Sequence, residues 1–416
     1  MRILNLLSLC MLLMVSVLDS SAQRTVKPKP AVKWGQMICG KLDTLLMQPM
    51  FKTSQVALMV YDLTADSVVY AVNERQTMRP ASTMKIATAV TALDVLGGNY
   101  RFKTGIGYKG EIRDSILFGD VHIKGGMDPL FDDSNMHELA MMLADSGVKA
   151  VDGNVIIDQS MRDTLLLGEG WCWDDDNPVL LPFVYHRNLT DNWFPLPVTG
   201  TTIEQGFVDT LKLKQTDEAL ADTMVVQEPQ DTLPVIWLGE VGHGIGAVLE
   251  PMMKKSDNYC AEATFYQIAA AQSALQPATA KLAQRAVGRM IGRVGLKASD
   301  FRVADGSGLS LYNYVSAELL TKMLRYAYRK KSIYRHFSPS LPVAGEDGTL
   351  KRRMRKTAAA GNVRAKTGTV TGIISLAGYC TASNGNQLAF AIINQGVLKG
   401  KTARDFQDQV CEVLVK

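Results

Sequence analysis

The sequence predicts an α+β protein whose main domain is interrupted by a β-rich insertion. Three observations carry that expectation. Residues 55–62 and 67–72 are two β-rich runs around a short polar turn, a hairpin pattern near the start of the chain. Residues 373–380 and 387–393 repeat the pattern near the end, around Asn384-Gly385, the strongest short hairpin signal. Between residues 101 and 238 the texture changes to short strands separated by Gly and Asp turns, with helical patterns before and after.

Taken in order, residues 1–22 have the three parts of an export signal: Arg2, an apolar run from Ile3 to Leu18 broken only by Asn5, Ser8 and Ser16, and Ser20-Ser21-Ala22, with cleavage expected after Ala22. Residues 23–35, with Pro28 and Pro30, read as a flexible lead-in to a helix over 37–46. After the first hairpin, Arg79-Pro80-Ala81-Ser82-Thr83-Met84-Lys85 runs into the helix-forming segment 86–93, where Ser82 or Thr83 can cap the first turn and Gly97-Gly98 makes a natural stop. Strands are expected at 102–108, 115–117, 121–124 and 154–158, and a helix at 136–146. The polar aromatic patch Trp171-Cys172-Trp173-Asp174-Asp175-Asp176 then leads into an irregular Pro-rich stretch. Helical pattern returns near Ala247, Ser256-Asp257-Asn258 opens a strong run over 259–271, and a last helix covers 402–414. The expected division is 23–100 with 239–416 as the main domain and 101–238 as the insert.

Composition narrows the function classes. A chain of 416 residues, 47% hydrophobic and 21% charged, is ordinary globular material rather than disordered chain. A net charge of +4, with no Lys/Arg run interleaved with aromatics, argues against a nucleic-acid partner. The densest basic cluster, Lys351-Arg352-Arg353-Met354-Arg355-Lys356, reads as a solvated face. The five histidines have no metal-ligand spacing and no glycine loop cradles a phosphate, so neither metal nor cofactor is expected. Beyond the export signal no stretch is long and apolar enough for a membrane span. Cys39, Cys172, Cys260, Cys380 and Cys411 are too scattered for a disulfide framework; buried thiols are the default, and Cys39 with Cys411, near the two ends, is the pairing to check. Asn188-Leu189-Thr190 fits a glycosylation pattern on a tripeptide match alone.

The chemistry starts from Ser82-x-x-Lys85, which places an amine one helical turn from a hydroxyl. A serine becomes a nucleophile when a neighbouring base takes its proton, and lysine can do so once desolvation or nearby cations lower its pKa. The spacing alone is cheap. Singly, Asn258 reads as a helix cap and Lys366 as a strand-end charge. Ser82-x-x-Lys85, Ser256-x-Asn258 and Lys366-Thr367-Gly368 in this order, however, supply a nucleophile, a base, a second hydroxyl-amine pair and a strand edge able to receive a peptide.

On these motifs the chain resembles the class C low-molecular-mass penicillin-binding proteins, the D-alanyl-D-alanine carboxypeptidase/endopeptidase family of the serine β-lactamase/transpeptidase superfamily. Two further stretches carry the resemblance: Gly119-Asp120-Val121-His122-Ile123-Lys124-Gly125-Gly126-Met127-Asp128-Pro129, similar to the family's Gly-Asp-Leu-x-x-x-Gly-x-Gly-Asp-Pro segment, and Asp305-Gly306-Ser307-Gly308-Leu309-Ser310. The 174 positions from Ser82 to Ser256 leave room for the insert that marks this class.

The resemblance implies a five-stranded antiparallel sheet with helices on both faces, a helical lobe bearing Ser256 and Asn258, and the β-rich insert beside the cleft. It implies acyl transfer: Lys85 as base, Ser82 as nucleophile, and backbone N–H groups of Ser82 and Thr369 around the oxyanion. Ser256 and Lys366 would return the proton, Asn258 would position the substrate amide, and Thr367, Gly368 and Thr369 would bind the terminal carboxylate. Asp128 is either an ordinary Asp-Pro turn residue or, as the family suggests, a receiver for the side-chain amine of the stem peptide. Where many relatives follow Asp-Gly-Ser-Gly-Leu-Ser with arginine, this chain has Leu311. The implied partners are peptidoglycan stem peptides and, as covalent inhibitors, β-lactams; the implied compartment is the periplasm. A serine β-lactamase and a non-catalytic cell-wall binder are the alternatives, although no Glu-x-x-Leu-Asn segment of the class A β-lactamase type is present.

Overall fold

The structure, a computed structural model, describes residues 30–175, 177–183, 185, 234–272 and 276–416. The export signal, Asp176, His186 and Asn188-Leu189-Thr190 lie outside the described residues. The chain enters as α1 (Pro30–Leu46), β1 (Gln55–Asp62) and β2 (Ser67–Val72), then passes a 3-10 turn at Ala81–Thr83 into α2 (Met84–Val95). A second group follows: β3 (Thr104–Arg113), β4 (Ile116–Lys124), α3 (Asp133–Asp145), β5 (Ala150–Asp152), β6 (Val155–Asp158) and β7 (Ile236–Val241). The helices α4 (Ile245–Lys254), α5 (Asn258–Ala270), α6 (Ala280–Arg293), α7 (Ala317–Arg329) and α8 (Lys331–Ser340) come next. β8 (Arg364–Val370), β9 (Ile373–Thr381), β10 (Gln387–Gln395) and α9 (Gly400–Val415) complete the chain.

The main sheet has the order β2-β1-β10-β9-β8 and is antiparallel throughout. The first and last hairpins of the sequence therefore meet, β1 pairing along β10 from Gln55↔Gln395 to Asp62↔Leu388. Both faces are covered, which the alternation within a strand shows directly. In β10, Leu388, Phe390 and Ile392 enter a core with α1 and α9, while Ala389, Ala391 and Ile393 face the helical core built on α2, α4, α5 and α7. α2 is buried on every side from Met84 to Leu93, as an all-round apolar helix must be.

The insert forms its own sheet, order β5-β4-β3-β7, with β6 also on β4, and α3 packs its apolar face against it. β3 and β4 are longer than the three short strands expected. Their tight turn, Asp114-Ser115, holds positive φ at both residues and so lets the ladder run unbroken from Gly105↔Lys124 to Arg113↔Ile116. β7 ends at Val241, so strand pairing of this sheet runs past residue 238. α1 likewise starts at Pro30, inside the expected lead-in, since proline's missing N–H costs nothing in a first turn.

Cys39 and Cys411 are unpaired, and none of the five cysteines is in a disulfide. Cys411 is packed in the α9 core, whereas the Cys39 thiol donates to Val69 O. In the basic cluster, Arg353 pairs with Asp408 at 2.7 Å and the other four cations are exposed. Among the described residues, no helix is long and apolar enough to cross a membrane, and no group of three or more His, Cys, Asp or Glu side chains is placed to hold a metal ion.

Candidate active site

Ser82 sits in the 3-10 turn before α2, and neither it nor Thr83 caps the helix with its side chain. The expected cap is replaced by a tighter arrangement: Thr83 Oγ1 donates back to Pro80 O at 2.7 Å, and the half-buried Ser82 hydroxyl stays available to Lys85. Ala81, just before it, has φ +48°, a conformation that strains a residue with a Cβ and that surrounding contacts must hold. Those contacts come from two glycines. A Cβ on Gly308 would stand 1.9 Å from Ala81 O, and one on Gly368 would stand 2.9 Å from Pro80 O and 3.0 Å from Ser82 N. β8 and the 305–310 loop thus press against the serine turn as no larger residue permits.

Lys85 Nζ lies 2.9 Å from Ser82 Oγ, 2.8 Å from Asn258 Oδ1 and 2.8 Å from Ser307 O. The side chain is fully buried. Burial lowers its pKa from 10.5 to about 8, outweighing the opposite pull of Asp305, Glu262, Asp257 and Cys260. Burial rather than a neighbouring cation is therefore what lowers Lys85. Repulsion between the two lysines acts on Lys366, also fully buried and held well below its ordinary value by desolvation and then by Lys85. Lys366 Nζ donates to Ser256 Oγ at 2.8 Å and to Thr367 O at 2.7 Å.

Ser256 and Asn258 stand at the start of α5. Asp257 is the residue that caps this helix, accepting from Cys260 N at 2.8 Å, which leaves the Asn258 carboxamide for Lys85. Ser256 has φ +64°, a second left-handed residue within the site. On β8, Thr367 Oγ1 donates to Thr349 Oγ1 at 2.7 Å, and Thr369 is exposed. β8 is the last strand of its sheet, and the segment 342–344 pairs with its outer side only near Arg364 and Ala365. From Lys366 onward that edge is placed to receive an extended peptide.

Asp128 is a different case. Its side chain has no exposed surface; Oδ1 accepts from Leu130 N at 3.0 Å, while Oδ2 accepts from His243 N at 3.1 Å and meets His243 Nδ1 at 2.9 Å. The turn-residue alternative describes this geometry. The structure offers no open Asp128 carboxylate to an incoming amine, because Oδ1 closes its own turn onto Leu130 N and Oδ2 ties the insert to His243 in the segment between β7 and α4.

Four contributing residues had no role assigned from sequence, although Asp305 and Ser307 lie in the 305–310 stretch that carries the resemblance. Ser307 brings a backbone carbonyl to Lys85, Thr349 flanks Thr367, and Glu262 and Asp305 are buried carboxylates behind the lysine. Glu262 had a legible signal, since it follows Asn258 by four residues and so shares its helix face. Thr349 had none.

The family comparison agrees with this geometry. Residues 38–231 and 243–416 match the D-Ala-D-Ala carboxypeptidase 3 (S13) family. The chain is 27% identical to a D-alanyl-D-alanine carboxypeptidase of Actinomadura sp. (strain R39), over 85% of this chain and 80% of that protein. It is 25% identical to the D-alanyl-D-alanine carboxypeptidase DacB of Haemophilus influenzae, over 86% of this chain and 90% of the relative. The crystal structure of penicillin binding protein 4 (dacB) from Haemophilus influenzae superposes with a TM-score of 0.73 at 22% identity, covering 89% of this chain and 97% of that one. By that match over most of its length, the chain belongs to the D-Ala-D-Ala carboxypeptidase 3 (S13) family.

Proposed function

We propose that this chain is an exported serine D-alanyl-D-alanine carboxypeptidase/endopeptidase that works through an acyl-enzyme at Ser82. The observation that carries the reading is the buried Lys85 amine 2.9 Å from Ser82 Oγ, with its pKa lowered to about 8. In the neutral form it takes the hydroxyl proton as Oγ attacks the carbonyl carbon between two D-alanines. The N–H groups of Ser82 and Thr369 stabilise the oxyanion, and the substrate lies along β8 with its terminal carboxylate at Thr367, Gly368 and Thr369. As the C–N bond breaks, Ser256 passes a proton to the leaving amine, supported by the Lys366 charge, and Asn258 positions the substrate amide. Water then hydrolyses the ester. Family membership and the two curated carboxypeptidase relatives support the reaction class. Peptidoglycan stem peptides are the substrates and β-lactams the covalent inhibitors. The N-terminal export pattern supports a periplasmic enzyme.

A fluorescent penicillin provides the test. Durable labelling that maps to Ser82 and is lost in Ser82→Ala is expected; fleeting labelling identifies a β-lactamase, and none identifies a non-catalytic binder. Digesting cross-linked and uncross-linked muropeptides and weighing the products then apportions endopeptidase and carboxypeptidase activity.

A further inference from the structure

The three partners of Lys85 are more than a neutral amine can serve as donor. An ammonium has three N–H donors, but the neutral amine required of a base has two, together with one lone pair. For that lone pair to face Ser82 Oγ, the two N–H groups must be taken by Asn258 Oδ1 and Ser307 O, both at 2.8 Å. The aim of the base therefore depends on a backbone carbonyl in a loop.

That carbonyl is held from behind. Glu262 on α5 is 1% exposed. Its Oε1 accepts from Ser307 N at 2.8 Å and from Gly306 N at 3.1 Å, and its Oε2 lies 3.2 Å from Gly306 N. Asp305 closes the same loop, accepting from Gly308 N at 2.8 Å, Ser310 N at 2.6 Å, Asn313 Nδ2 at 2.7 Å and Trp171 Nε1 of the insert at 2.9 Å. Within this cluster two buried carboxyl groups, Glu262 and Asp305, stand against two buried amines, Lys85 and Lys366.

Resting on the acyl-enzyme reading of Ser82 and Lys85, we propose that Glu262 is a positioning residue for the base. Through the Gly306 and Ser307 N–H groups it fixes the carbonyl that turns the Lys85 lone pair onto Ser82, and its negative charge helps set the pH at which that lone pair is free. The titratable groups around Lys85 come from each element packed on it: Asp257, Cys260 and Glu262 from the start of α5, Asp305 from the loop, and Lys366 from β8, with the repulsion of the two amines falling on Lys366. Burial pushes the Glu262 carboxyl up to about 8, with Asp305 adding to it and the Ser307 side chain and then the two backbone donors opposing.

The test is the acylation rate with a penicillin as a function of pH, in the wild-type chain, Glu262→Gln and Glu262→Asp. Glu262 ionises over the same pH range as Lys85, and the carboxylate it becomes holds the ammonium; the Gln variant never develops that anion, so its alkaline rise should be displaced to lower pH by about half a unit, with a plateau roughly tenfold lower. Glu262→Asp keeps the charge but cannot span both N–H groups, so its plateau should fall while the inflection stays in place. A Gln variant that slows without moving its inflection, as a packing role alone predicts, overturns the proposal; so does a wild-type profile in the Gln variant. Should Glu262→Gln fail to fold, as judged by circular dichroism, Glu262→Asp at the wild-type rate overturns it, and Asp305→Asn supplies the second loss of an anion, expected to displace the inflection in the same direction. A wild-type chain that does not acylate at all refutes the Ser82–Lys85 reading itself, an outcome distinct from any of these.

Discussion

Titrating acylation through the neutral and alkaline range tests the base directly. Lys85 falls from 10.5 to about 8 because its amine is buried. At pH 7 that leaves roughly a tenth of the molecules with a neutral amine, against about 0.03% at the ordinary value, a gain of some three-hundredfold in competent enzyme. The second-order rate of labelling by a fluorescent penicillin should therefore climb about tenfold per pH unit below about pH 8 and level off above it. Lys85→Arg is the sharpest control, because a guanidinium keeps the charge but does not deprotonate, and it should abolish labelling without unfolding the protein. Labelling independent of pH between about 6 and 9, or an Arg variant labelled at the wild-type rate, would refute the assignment of Lys85 as the base.

The same burial has a thermodynamic cost with a definite sign. The folded pKa lies below the unfolded one, so the unfolded chain binds more protons between about 8 and 10.5 and stability rises with pH through that window. Below it the full penalty, about 3 kcal/mol for Lys85, is present, so Lys85→Met should raise the melting temperature at pH 7 while abolishing acylation. Asp128→Asn puts an amide where the carboxylate accepts from His243 N or Leu130 N; it should lower stability by about 1–3 kcal/mol in denaturant titrations, with penicillin acylation and peptide hydrolysis falling together. A selective loss on stem peptides with a free side-chain amine would instead restore Asp128 as a substrate residue. Thr349→Val removes the partner of Thr367 and should raise KM for D-alanyl-D-alanine peptides several-fold with kcat little changed, read from steady-state hydrolysis. Leu311→Arg adds a guanidinium able to pair with a carboxylate, and should increase the ratio of kcat/KM for carboxylated over amidated stem peptides.

Much of this was written locally in the chain. Ser82 and Lys85 meet because helical geometry brings residues three apart onto one face, and the terminal hairpins announce themselves through Asn384-Gly385 and through β-rich runs around a polar turn. The order of the three motifs carried the family, and i,i+4 spacing from Asn258 already put Glu262 on the site's side of its helix. Other features were settled by contacts no local pattern contains. Lys85 reaches Asn258 across 173 residues and Ser307 across 222, and Lys366 reaches Ser256 across 110. Those closures help bury the two amines, and burial lowers the pKa of Lys85 and, together with the nearby Lys85, that of Lys366. Asp128 shows the reverse: its Asp-Pro motif fits an open carboxylate and a clasped one equally, and the clasp seen in the structure comes from His243, 115 residues later. Local sequence specifies which groups can react and which short segments turn or coil. Desolvation and the satisfaction of buried polar groups depend on the neighbours that packing brings from elsewhere in the chain, and those belong to the tertiary structure.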